Sequence, residues 1–161
     1  MALSISITLM IIMVHIFYFL KKKLSFLQNS IVFMIIAIAT KNYITIMTME
    51  LKMLKTTDDN FLFVVLLMFR EMMIPFIVLI FTNTYLLTSG WKKKILLFIV
   101  VLAVMHGMDR LTVHYHVIQY IKWNFIYAAI MDAAFLLFGL MLAKTVLYLK
   151  EWESRKHDSR V

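Results

Sequence analysis

Glu71 and Asp132 are acidic side chains set in stretches that are otherwise apolar, 61–87 and 123–149. Each stretch is long enough to cross a bilayer. An ionisable group at the centre of a spanning helix costs roughly 2.5–3.5 kcal/mol on insertion scales. A chain that is 63% hydrophobic has ample apolar residues with which to avoid that cost. Lys41, Arg70 and His106 lie at similar depth in neighbouring stretches, with Asn42 beside Lys41. Counted from the ends of their stretches, Lys41, Arg70, Glu71 and Asp132 sit eight or nine residues in, roughly 13–15 Å at the rise of an α-helix. The expected result is one intramembrane polar cluster: Lys41, Asn42, Arg70, Glu71, His106 and Asp132. Such groups turn inward and pair. Adjacent residues on a helix diverge, so Arg70 and Glu71 are expected to find partners elsewhere. The pairs would be Arg70 with Asp132 and Lys41 with Glu71, or the reverse. The chemistry open to such a set is a register-fixing ion-pair network, a proton or ion relay, or a polar ligand pocket.

Pro75 adds to this. It lacks an amide donor, so an α-helix leaves the carbonyl of residue 71 without its partner and kinks there. A second group of interest is His106, Asp109, His114 and His116. His106 and Asp109 share a helix face, and a histidine–carboxylate set suits Zn(II) or another divalent metal. The spacing matches no established metal motif, and the same residues also suit an outer interface with Tyr115, Tyr120, Trp123 and Tyr127 as an aromatic belt. The expectation is no cofactor, with a divalent metal at these four residues as the alternative.

The elements that must position these groups follow from composition. The 161 residues include only 16% charged ones, and three Gly and one Pro; the mean hydropathy is +0.86. Continuous apolar runs of about 20 residues indicate helices rather than a barrel. The predicted fold is an all-α membrane bundle of five transmembrane helices at 2–20, 24–49, 61–87, 95–117 and 123–149. These form a single domain over 1–150, followed by a short charged tail over 151–161 that frays into solvent. The first span carries its basic residues after the apolar run and reads as an uncleaved anchor. Ten basic residues fall in one set of loops (Lys21–Lys23, Lys92–Lys94 and the tail) and four in the other (Lys52, Lys55, Arg110, Lys122). That bias places the N-terminus outside and the C-terminus in the cytoplasm.

Smaller features refine the bundle. Ala129/Ala133 and Gly139/Ala143 are small residues four apart, which lets helices approach closely and suggests a central fifth helix. The stretch Thr82-Asn83-Thr84 is expected to line a helix contact. His15 and Lys144 are expected to pack or snorkel.

The net charge of +8 lies at helix ends and fits anionic headgroups, not nucleic acid. No cysteine is present, so thiol chemistry and disulfides are excluded. Serine–histidine motifs and glycine-rich phosphate loops are missing too. The loops are too short to fold alone, which excludes a separate catalytic domain. Heavy use of Ile, Phe, Met and Lys suggests an AT-rich, bacterial source. The expected function is therefore non-enzymatic: a small multi-pass protein of the plasma membrane, acting as an accessory, regulatory or sensor subunit through helix–helix contacts. Its partners would be the bilayer and another membrane protein or a second copy. The alternatives are a small proton, ion or solute transporter using the polar cluster, and a metal-dependent membrane enzyme.

Overall fold

A computed structural model describes residues 1–158, with side chains placed through Lys150 and at Trp152. The chain is all-helical apart from one short strand pair. In chain order the elements are α1 (Ala2–Phe19), α2 (Phe26–Thr45), β1 (Leu54–Thr56), α3 (Asn60–Met68), α4 (Ile74–Leu87), α5 (Trp91–His114), β2 (Ile118–Tyr120) and α6 (Phe125–Asp158). A π-turn, Ile46–Glu50, extends α2, and a second, Phe69–Met73, joins α3 to α4 as one continuous rod. Five helical stretches are long and apolar enough to cross a membrane: Ala2–Phe19, Phe26–Glu50, Asn60–Leu87, Trp91–His114 and Phe125–Lys150. The fourth stretch begins four residues before its predicted start, and the others agree with the reading to within a few residues.

Local sequence sets the helix starts. Ser25 and Gln28 form a reciprocal capping box at the head of α2, satisfying two amides that the first turn leaves free. Asp59 accepts from Phe61 N at 2.7 Å and Leu62 N at 3.1 Å to start α3. Gly90, at φ 93°, makes the sharp entry into α5, a conformation glycine adopts without steric cost.

The helices alternate in direction, so one end of the bundle gathers the lysine loops and the other gathers the strands. At the strand end β1 and β2 pair antiparallel, with Leu54 opposite Tyr120 and Thr56 opposite Ile118. This ribbon joins two connections that the sequence reading treated as plain loops. Lys52 (φ 49°) and His116 (φ 56°) turn the chain into it through the left-handed region. Leu54, Val117 and Ile118 pack with Ala2, Ile44, Val65 and Leu66 as a small core of their own.

The main core lies around α4, which touches α1, α2, α5 and α6. The central helix is thus α4, not the fifth span as its small residues suggested. Gly139 acts at the α4–α6 crossing instead, where a Cβ would overlap Val78 Cγ1, and Ala143, one turn on, is fully buried. The fold is inside-out relative to a protein in water. Phe26, Leu27, Leu96, Ile126 and Leu137 lie on the outside, each more than half exposed. An apolar exterior on this scale suits lipid as the solvent.

Helix α6 continues into the charged tail as far as Asp158; residues 159–161 of the tail lie outside the described residues.

Candidate functional site

The elements above bring three ionisable side chains together near the strand end. His106 and Asp109, one turn apart on α5, face Asp132 on α6. One ligand atom from each lies within 4.8 Å of the others. The i, i+3 spacing puts the first two on one face, and the packing of α5 against α6 supplies the third. Asp132 is eight residues into α6, roughly 10 Å from its start.

The surroundings isolate this centre. Asp132 is 6% exposed, and its Oδ2 has no hydrogen-bond partner; neither does the buried Nδ1 of His106. A cavity of about 40 Å³ adjoins the two carboxylates, bordered by Tyr43 of α2, the ribbon residues Leu54, Ile118 and Tyr120, and Trp123. That is room for a water molecule with polar partners. The ribbon therefore closes the centre from the strand end. Burial, with the nearby carboxylates as a secondary cause, pushes the Tyr120 hydroxyl well above the ordinary phenol range, so it stays a neutral group able to donate. Phe125 shields the remaining side. His106 packs edge-on to its ring at 5.8 Å, Tyr120 lies 5.2 Å away, and the Arg110 guanidinium sits 4.8 Å over its face. Arg110 is held in that cation–π contact and forms no ion pair with the carboxylates among the described residues.

The structure does not assemble the six-residue cluster. Lys41 and Asn42 lie on the exposed outer face of α2. Arg70 does not pair with Asp132, nor Lys41 with Glu71. Instead Arg70 Nη2 contacts its neighbour Glu71 Oε1 at 2.8 Å, the Arg side chain 10% exposed and the Glu 43%. The reason is the π-turn at Phe69–Met73. Its wider turn narrows the angle between successive side chains, and the long arginine folds back across it.

The same π-turn moves the consequence of Pro75 by one residue. Here Ile74 N donates to Phe69 O, five residues back. The next amide in that register would be Pro75's, so the carbonyl left over is that of Arg70, not residue 71. The buried hydroxyl of Thr40 on α2 reaches Arg70 O at 3.0 Å. It also lies 3.0 Å from Ile36 O and from Ala37 O, so its single proton is shared among three acceptors.

Of the four residues read as metal ligands, His106 and Asp109 share the centre. His114, the last residue of α5, and His116, at positive φ beyond it, are exposed and belong to no such group. The third member, Asp132, is grouped with His106 by depth in the expected polar cluster, but its place beside Asp109 is not expected. Only the approach of α5 to α6 reveals the connection, and no spacing within either segment carries it.

At the lysine end, Asn83 does more than line a helix contact. Fully buried, its Oδ1 accepts from Lys23 N (3.0 Å) and Leu24 N (3.1 Å), while Nδ2 donates to Asn29 Oδ1 (2.7 Å) and Leu79 O (3.0 Å). It ties the α1–α2 connection to α4. His15 and Lys144 are exposed, with His15 Nδ1 2.9 Å from Ile11 O.

No family model matches the chain, no curated protein is similar to it, and no solved structure matches its fold.

Proposed function

We propose that this chain is a small multi-pass protein of the plasma membrane with a non-enzymatic, accessory or regulatory role, exerted through contact with another membrane protein or a second copy of itself. The observation that carries this reading is the placement of Lys41 and Asn42. Both are exposed well inside α2, on a face shared with exposed Met34, Ile38 and Thr45. A charge left in hydrocarbon is costly. Escape by snorkelling to the strand end works against the geometry, because helical Cα–Cβ bonds tilt toward the N-terminus, here away from that end. A partner helix presenting an acidic side chain at the same depth would remove the cost. The lysine bias supports an outside N-terminus and a cytoplasmic C-terminus.

The test is site-specific photocrosslinking from position 38, combined with purification of the tagged chain in mild detergent and mass spectrometry. A protein adduct is expected, lost in Lys41→Glu and partly kept in Lys41→Leu. Lipid adducts alone on a monodisperse monomer would reject the reading.

A further inference from the structure

Two carboxylates and an imidazole converge where α5 packs on α6, beside a small cavity that the carboxylates line, and two of their buried polar atoms are unsatisfied. Asp132 is buried and Asp109 half-buried, and no lysine or arginine pairs with either among the described residues. A buried polar group without a partner costs roughly 1–3 kcal/mol, and more when charged. Protein interiors resolve such a set by pairing, by protonation or by a bound cation.

We propose that His106, Asp109 and Asp132 form a binding site for one divalent transition-metal ion of the Zn²⁺ or Mn²⁺ class. The donor set is one imidazole nitrogen and two carboxylate oxygens. Imidazole favours Zn²⁺ over the alkaline-earth ions, and carboxylates keep Mn²⁺ in range. The lack of sulfur ligands argues against Cu(I). Ligand atoms at about 2.0–2.2 Å from such an ion in a tetrahedral site stand roughly 3.3–3.6 Å from one another. The observed spread of up to 4.8 Å closes to that by side-chain rotation. The charges also match, since two carboxylates neutralise one divalent ion.

The remaining position faces the cavity of about 40 Å³, where a water can complete a tetrahedron. Tyr43 and Tyr120 border that space, and a phenol hydroxyl there can hydrogen-bond the water or a ligating carboxylate. Such outer contacts orient ligands in known metal sites. A site built from three protein ligands on two helices would clamp α5 to α6 beneath the ribbon. The site is independent of the Lys41 face and stands or falls separately from it.

The experiment uses the full-length chain in detergent, stripped with a chelator and dialysed against Zn²⁺, Mn²⁺ and Mg²⁺ in turn. The expected result is one Zn²⁺ or Mn²⁺ per chain, not displaced by excess Mg²⁺. Asp132→Asn and His106→Gln should each weaken binding by more than about 100-fold, beyond the 10–100-fold typical of an outer-shell residue. His114→Ala with His116→Ala should leave it unchanged. X-ray absorption of the Zn²⁺-loaded wild type should show a single imidazole among oxygen ligands, and it decides the matter even where a variant fails to fold. Absence of stoichiometric binding would overturn the proposal. So would two or more imidazoles in the absorption spectrum, or binding lost with His114 and His116 but kept in Asp132→Asn.

Discussion

Thr40, Arg70 and Pro75 act as one unit. The proline removes a donor, the π-turn shifts the resulting vacancy to Arg70 O, and the threonine of a neighbouring helix fills it. Thr40→Val should therefore lower the unfolding free energy in detergent by about 1 kcal/mol, in the range measured for hydrogen bonds between membrane helices. With Pro75→Ala in the background the amide returns and the loss should shrink, a coupling that a double-mutant cycle reads directly. Equal losses in both backgrounds would show that Thr40 serves only its own helix. Asn83 offers a second test. All four of its hydrogen-bonding positions are used. Asn83→Asp keeps the acceptors for Lys23 and Leu24 but removes both donors, and should cost about 1–3 kcal/mol, measured as a loss of thermal stability. The importance of Pro75 was legible in the sequence, because the missing donor is a property of the residue itself. The identity of the carbonyl was not, because it depends on whether the turn before the proline is α or π. Asn83 was legible only as a polar residue near a helix contact.

The helices themselves were readable to within a few residues, since twenty apolar residues between polar breaks admit little else. The β1–β2 ribbon was not. Three-residue strands carry too little alternation to stand out, and these become strands by finding each other across three helices. The chain has no cysteine of its own, so the register can be checked cleanly. Lys55→Cys with Gln119→Cys places thiols at directly opposed positions, and mild oxidation should join them as an internal disulfide, seen as a shifted band on a non-reducing gel. Lys52→Cys with Gln119→Cys should stay reduced. Helix contact at Gly139 gives a further prediction. Gly139→Leu drives a side chain into Val78 on α4 and should destabilise the bundle by about 1–3 kcal/mol, the usual cost of overpacking. Val78→Ala should relieve part of it. Small residues at this position were visible in the sequence, but their partner helix was not.

Taken whole, the bundle has two unlike ends. The lysine end is held by the Asn83 network, and the strand end by a paired ribbon over a partly buried histidine–aspartate centre. Single cysteines at Lys22 and Lys55 should be modified from opposite faces of sealed membranes by an impermeant thiol reagent. Labelling of both from one face would refute the five-span arrangement. The centre was legible only in pieces: depth along the spans groups His106 with Asp132 and helical spacing groups His106 with Asp109, but that all three meet follows from which face α5 turns to α6. The ribbon also fixes a temporal order. Its first strand leaves the ribosome before α3, α4 and α5 exist, and its partner follows only after all three. Until then β1 is an unpaired edge beside a half-built bundle, so closure of the centre is a late, non-local step of biosynthesis. Nascent chains arrested before residue 120 should accordingly expose their strand-end residues to protease, and lengthening the chain past α6 should bring protection.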